Sequence, residues 1–152
     1  MTGLYSTNAD AAYYNNSVLV KGSANFNGYL VPVEDYYLTN VDAVQLANNL
    51  APSTVGWILI GVGFVVNRYV GATLSIAHQQ ASDMSGQIRA ITDKGGGVWI
   101  ENRKDPVWGH KIDIRSWNNA DRWSLNDLSQ GRYQYQNYSY ELISDITATY
   151  SY

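Results

Sequence analysis

Cysteine is absent from this chain of 152 residues. Without a thiol, the chain cannot form a disulfide, a thiolate zinc site or an iron–sulfur cluster. The absence also excludes the small extracellular domains that disulfides hold together. Any stability must therefore come from packing and hydrogen bonding in one domain, for which this length is sufficient.

Charged side chains are scarce as well. Asp, Glu, Lys and Arg make up 15% of the residues, and the formal net charge is −3. The chain has no run of Lys or Arg, so it lacks the basic surface that binds nucleic acid or anionic lipid. Asn, Ser, Tyr and Gly take the place of the charges, as is typical of proteins that meet glycan or cell-wall surfaces. We predict no nucleic-acid partner.

The first sixteen residues, MTGLYSTNADAAYYNN, have neither the basic n-region nor the apolar h-region of a signal peptide. Either the protein is cytosolic, or a leader has been removed and the chain is the mature form. The composition of the surface favours the second alternative, so we expect a secreted or cell-surface protein. We expect residues 1–16 to be a loose arm on a single domain that spans 1–152.

Enzyme motifs and metal-binding motifs are missing too. The chain contains no GxSxG, HExxH, Walker A or EF-hand pattern. The two histidines, His78 and His110, lie on different predicted elements, and a strand would place His110 and Asp113 on opposite faces. The acidic groups near Glu34 and Asp121 match no calcium-binding loop. We predict a protein without catalytic residues, metal or cofactor.

The most unusual feature that is present is the apolar segment STVGWILIGVGFVVNRYVGATLSIA, residues 53–77, which has no polar side chain from Val55 to Val66. After it, apolar residues recur at intervals of four and three, the spacing of one helix face: Val70, Leu74, Ala77, Ala81, Met84, Ile88 and Ile91. Gly95–Gly97 would end such a helix. The pattern predicts one helix, or a pair bent near Gly63–Gly71, from about Thr54 to Thr92.

This predicted helix does not suit a fixed membrane span, because Arg68 and Asn67 would lie within the bilayer. Small and polar residues at every fourth position, Gly63, Asn67, Gly71 and Ser75, would instead form a ridge that permits close helix–helix contact. If lipid is involved, Trp57 and Tyr69 are the predicted interfacial anchors.

Strand patterns flank the helical segment. Ser17–Lys21 and Gly28–Val33 are β-rich, His110–Trp117 alternates strictly, and tyrosines alternate through residues 133–152. Asp105-Pro106 and Gly109 predict a hairpin between Val98–Ile100 and the alternating strand. The fold class predicted is α+β: a central Gly-rich helical hairpin or bent long helix, packed on an antiparallel sheet formed by N- and C-terminal strands.

Aromatic residues are concentrated in the second half of the chain. Such side chains serve equally in cores, sugar-binding faces and membrane interfaces. The candidates for stacking on a sugar are Trp99, Trp108, Trp117 and Tyr135.

The order of features, from the Gly-rich segment GWILIGVGFVVNRYVGATLSIA to the glycine-opened strand in KGGGVWIENR, resembles secreted bacteriocin-like proteins of Gram-positive bacteria. The resemblance covers about residues 53–102 and implies membrane activity without enzymatic chemistry. We therefore expect a secreted, self-associating, non-enzymatic protein, a homo-oligomer that acts on a membrane. The alternatives are a structural or adhesive subunit that assembles through Tyr-rich edge strands, and a module that binds a cell-surface carbohydrate.

Overall fold

The computed structural model describes residues 13–50, 57–64, 70–107, 109–118, 122–124 and 135–151. These residues form nine strands and two helices, in the following chain order: β1 (Tyr13–Tyr14), β2 (Ser17–Phe26), β3 (Tyr29–Leu38), α1 (Asn40–Asn49), β4 (Trp57–Phe64), β5 (Val70–Ala77), α2 (His78–Thr92), β6 (Gly97–Asp105), β7 (Gly109–Trp117), β8 (Trp123–Ser124) and β9 (Tyr135–Ser151). Strand therefore dominates over helix.

Seven strands form one curled antiparallel sheet in the order β5-β4-β9-β2-β3-β6-β7. The 17-residue strand β9 lies between β4 and β2, since it pairs with β2 through Tyr135–Ile143 and with β4 through Ile143–Ser151. β1 and β8 form a separate two-stranded pair. The long strand β9 thus joins the N-terminal hairpin β2–β3 to the apolar hairpin β4–β5.

Both helices pack on one face of the sheet. Alternate residues of β4, Ile58, Ile60 and Val62, are buried there, as expected for side chains on one face of a strand. The helices contribute Ala43, Leu46 and Ala47 from α1 and Ala81, Met84 and Ile88 from α2. This cluster is the main hydrophobic core.

The opposite face of the sheet carries a second, aromatic cluster. Trp123 of β8 is fully buried and its Nε1 donates a hydrogen bond to the backbone oxygen of Asn16 at 2.6 Å. Its ring lies 4.6 Å from that of Tyr14 and 5.7 Å from that of Tyr140. The small β1–β8 pair is thereby attached to the sheet through aromatic contacts.

The predicted helix over residues 54–92 is wrong, and with it the helical hairpin of the predicted fold. Trp57–Phe64 and Val70–Ala77 are antiparallel strands, and the helix begins only at His78. β4 lies between two other strands, and its residues from Ile58 to Phe64 are buried or half-buried on either face, so its sequence is an apolar run without the alternation that marks a half-buried strand. Within α2 the predicted spacing of Ala81, Met84 and Ile88 does lie on one buried face.

The proposed helix-packing ridge is lost for the same reason. Gly63 is the cross-strand partner of Val70, Gly71 that of Val62, and Ser75 that of Leu59. Asn67, the fourth member, lies outside the described residues. The three described members belong to two paired strands, so they cannot form one helix face.

The C-terminal Tyr-rich segment is strand β9. Within the described residues, its first half pairs only with β2, through Tyr135–Ile143, and its second half only with β4, through Ile143–Ser151. Assembly of subunits through this Tyr-rich strand stays a prediction. Helix α1 begins at Asn40, with Thr39 as its N-cap. The predicted hairpin β6–β7 is confirmed, and Gly109 has the positive φ of 81° that its turn requires.

Candidate functional site

A groove of about 600 Å³ lies where the two edge strands of the curled sheet, β5 and β7, face one another. This volume is within the range of small-molecule sites, about 300–1,000 Å³. Its described lining comes from β4, β5, α2, β6 and β7: Trp57, Leu59, Leu74, Ser75, Gln80, Asn102, Lys104, His110 and Ile112. We call this the seam groove.

Trp57 provides the aromatic surface of the seam groove. It is the first residue of β4, next to the outer strand β5, and 55% of its surface remains exposed. A large exposed aromatic side chain beside a concave surface leaves one ring face available for an apolar partner. Leu59 and Leu74 extend this apolar side of the groove.

Asn102 forms part of the polar wall on the other side. It is only 2% exposed, and its Nδ2 donates to Oε1 of Glu34 at 3.2 Å. That bond fixes the orientation of the amide, because Nδ2 is the only donor of the group. Within the part of the chain that the structure describes, Oδ1 has no hydrogen-bond partner and is itself buried. Asn102 therefore shapes the groove, while the accessible polar groups of the lining come from its exposed residues.

A neighbouring carboxylate compensates the positive charge of Lys104 in the seam groove. Lys104 Nζ lies 3.4 Å from Glu34 Oε1, the same oxygen that accepts from Asn102. Among the nine described lining residues, Lys104 is the only one with a permanent charge, and none carries a carboxyl group. The groove therefore presents neutral hydrogen-bonding groups more than a net charge.

Strand pairing explains how these polar side chains meet. Asn102 is the register partner of Glu34 on β3 and of Ile112 on β7, and Lys104 is the partner of His110. Directly opposite residues of antiparallel strands share one face of the sheet. The hairpin β6–β7 therefore brings Asn102, Lys104 and His110 to one corner of that face.

The other face of the sheet carries a row of carboxyl groups. Asp35, Glu101 and Asp113 are consecutive register partners across β3, β6 and β7. Asp35 is 1% exposed, and its Oδ1 accepts a hydrogen bond from Trp99 Nε1 at 3.0 Å. Burial raises the pKa of Asp35 to about 8; the bond from Trp99 opposes this rise and the nearby Glu101 adds to it.

Tyr37 lies beside this carboxyl row. Burial raises the pKa of its phenol well above the ordinary value, and the nearby charges of Asp35 and Glu101 raise it further. None of the described cavities is lined by these residues. We therefore interpret the carboxyl row and Tyr37 as a structural element of the second face, and the charge of this element depends on pH.

The predicted aromatic residues do not form one sugar-binding surface. Trp99 and Trp117 both pack on Tyr37. The centroid of the Tyr37 ring lies 5.4 Å from that of Trp99 and 5.5 Å from that of Trp117, which is buried. Trp57, predicted as an interfacial anchor, lines the seam groove together with Ser75, which was predicted to belong to the helix-packing ridge. Tyr69 and Trp108 lie outside the described residues. Tyr135 begins β9, and only its backbone is described.

Sequence reasoning missed Asn102, Lys104 and Gln80 and treated His110 as an ordinary surface residue. A signal for three of these four was present in the predicted hairpin. Once its turn is placed between Asp105 and Gly109, the register pairs Lys104 with His110 and puts Asn102 two positions away on the same face.

Comparison with known proteins gives no assignment: no family model matches the chain, and no curated protein or solved structure shows significant similarity to it. The resemblance to bacteriocin-like proteins therefore stays a prediction. Neither of the two described helices is long and apolar enough to cross a membrane. Among the described residues, no three His, Asp or Glu side chains are grouped closely enough to hold a metal ion.

Proposed function

We propose that this chain is a non-enzymatic binding protein that takes a neutral saccharide in the seam groove. The observation that carries the proposal is the combination of a half-exposed Trp57 with the exposed neutral side chains of Ser75 and Gln80 in the lining of one groove. Aromatic surface and neutral hydrogen-bonding groups in one groove are the two features that an amphipathic ligand requires.

The chemistry of a sugar suits this arrangement. A pyranose ring has a flat face of C–H groups that packs on an indole, and a rim of hydroxyl groups that donate and accept hydrogen bonds. Gln80 and Ser75, which are exposed, offer neutral partners for these hydroxyl groups. Because Glu34 already compensates Lys104, the groove offers little net attraction to a charged ligand.

Binding rather than hydrolysis is the activity that the lining supports. Glycoside hydrolysis ordinarily needs two carboxyl groups on opposite sides of the scissile bond. The nine described lining residues contain none, and Glu34, which lies behind Asn102, is 9% exposed. A secreted or cell-surface location, which the composition predicts, would bring such a protein to its ligand.

The proposal is tested by isothermal titration with neutral disaccharides: cellobiose, maltose, lactose and N,N′-diacetylchitobiose. We expect at least one to bind, and Trp57→Ala to weaken that binding at least about tenfold, the usual effect of removing a central aromatic contact. Tyr29→Ala is the matched control, because Tyr29 is 53% exposed and lies outside the groove. No binding by any disaccharide, or equal binding by Trp57→Ala, would contradict the proposal.

Self-association is a second candidate function, favoured by the difference between the two sheet edges. The outer strand β5, VGATLSIA, has no charged residue over its eight positions, whereas β7 has Lys111, Asp113 and Arg115. Natural proteins protect exposed edges with charge, and an edge without charge is suited to pairing with another strand. Within the described residues, β5 pairs only with β4.

Light scattering coupled to size exclusion, over a range of concentrations, tests this second candidate. We expect Ser75→Lys, which places a charge on the exposed part of β5, to shift the protein towards monomer. Ser116→Lys, an equally exposed serine on β7, should leave the mass unchanged. A wild-type protein that is monomeric at all concentrations would rule out assembly through β5.

A further inference from the structure

A second cavity of about 170 Å³ adjoins the seam groove between α2 and β7. Its lining is Gln80, Asp83, Met84, Gln87, Ile112 and Ile114. Two of these residues, Gln80 and Ile112, also line the seam groove, so the two cavities are neighbours that share this pair. We call the two cavities together the trough.

The trough has a polar side and an apolar floor. Residues 80, 83, 84 and 87 recur at the spacing of one helix face, and of these Gln80, Asp83 and Gln87 are exposed. Met84 is buried, and Ile112 and Ile114 are half-buried and pack against the main core. Amide and carboxylate groups thus lie along one edge above an aliphatic floor.

The trough is longer than one sugar ring. Gln80 and Gln87 are seven helical positions apart, which is about 10 Å along the helix axis. Ile112 and Ile114 are two strand positions apart, which corresponds to about 7 Å of aliphatic floor. Because Gln80 and Ile112 also line the seam groove, the part of the trough beyond this pair is what extends the groove.

We infer that the ligand is a saccharide chain of at least three units, which starts on Trp57 and runs along α2 past Gln87. The inference rests on the proposed function and specifies its ligand. Successive sugar units would place their C–H faces on Ile112 and Ile114, and their hydroxyl groups would meet Asp83 and Gln87. Asp83 accepts hydrogen bonds only, whereas the amide of Gln87 both donates and accepts.

A substitution at Gln87 tests the second cavity without changing the seam groove, because Gln87 lines the second cavity and not the seam groove. It is exposed on α2, so Gln87→Ala removes its amide with little effect on the fold. The matched control is Gln45→Ala, which changes an exposed glutamine on the other helix, away from both cavities.

The test compares a disaccharide with the tetrasaccharide of the same series by isothermal titration: cellobiose with cellotetraose, maltose with maltotetraose, and diacetylchitobiose with tetraacetylchitotetraose. A tetrasaccharide gains about threefold merely because it offers three overlapping disaccharide units. We expect a gain of at least about tenfold in one series, since the additional units contact the second cavity. In Gln87→Ala this gain should fall to about threefold while the affinity for the disaccharide stays unchanged, and Gln45→Ala should behave as wild type.

The failures of the two proposals can be told apart. A disaccharide that binds through Trp57, with a tetrasaccharide gain of only about threefold, overturns the extended site and leaves the proposed function standing. A gain of tenfold that Gln87→Ala does not reduce also overturns the extended site. No binding by any saccharide of either length overturns both proposals.

Discussion

The buried carboxyl group of Asp35 makes stability depend on pH in a direction opposite to that of most acidic side chains. Its pKa is raised from 3.8 to about 8 because burial penalises the charged form. Between these two values the folded protein binds one proton more than the unfolded chain does. The free energy of unfolding therefore decreases as the pH rises from about 4 to about 8, and the loss is complete above pH 8.

The size of this effect follows from the same two values. A difference of one pKa unit corresponds to about 1.4 kcal/mol, so a rise from 3.8 to about 8 gives an upper bound of about 6 kcal/mol. Local relaxation that admits water to the carboxylate would lower this figure. Asp35→Asn keeps the shape and the Oδ1 that accepts from Trp99, and it removes the charge. We expect the variant to match wild type near pH 4 and to be more stable by up to about 6 kcal/mol at pH 9.

The assay is urea unfolding of both proteins at intervals from pH 4 to pH 9, followed by tryptophan fluorescence and circular dichroism. The measured quantity is the difference in the free energy of unfolding between Asp35→Asn and wild type, which cancels the titration of other groups. Glu141→Gln, which removes an exposed carboxylate of β9, is the control and should show no growth of this difference from pH 6 to pH 9. A difference for Asp35→Asn that is constant with pH, or that favours wild type at pH 9, would refute the reasoning.

Two further predictions concern hydrogen bonds that join distant parts of the chain. Asn40 Nδ2 donates to the backbone oxygens of Thr92 at 3.1 Å and Gly96 at 2.8 Å, where α2 ends. Asn40→Ala should therefore lower the free energy of unfolding, measured by urea titration, by about 1–3 kcal/mol. An unchanged midpoint would show that water replaces both bonds. Trp123→Phe removes the donor to the Asn16 oxygen and leaves that acceptor partly buried; we expect a melting temperature about 3–10 °C lower by calorimetry, and no decrease would mean that the β1–β8 pair adds nothing to stability.

The fold could be predicted only where the sequence pattern has one interpretation. The hairpin β6–β7 was predictable because Ile112 and Ile114 alternate with polar residues and a turn signal precedes them. The segment from Trp57 to Phe64 has no such alternation, since all of its residues after Trp57 are buried or half-buried. A short apolar run of this kind has the same appearance in a buried strand and in a buried helix. Because the residues of α2 have a clear helical spacing, the predicted helix was extended towards the N-terminus over β4 and β5.

The candidate site was less predictable than the fold. Trp57 was recognised as an unusual aromatic residue, but its place beside Asn102 depends on the curl of a seven-stranded sheet. The partner that fixes the Asn102 amide, Glu34, is 68 positions away in sequence. Neither residue type is diagnostic by itself, and the local sequence gives no sign that Asn102 is buried.

Mapping of the binding surface by NMR tests the central claim most directly. A ¹⁵N spectrum of the wild-type protein is recorded with increasing amounts of the tetrasaccharide that binds best, and the indole signal of Trp57 is assigned from Trp57→Phe. If the saccharide binds in the seam groove, we expect the NMR signals of the Trp57 indole and of the Asn102 side-chain amide to shift. The signal of the buried Trp123 indole should stay unchanged. Shifts confined to Trp99 and Trp117 on the opposite face, or no shift at any tryptophan, would contradict a saccharide site in the seam groove.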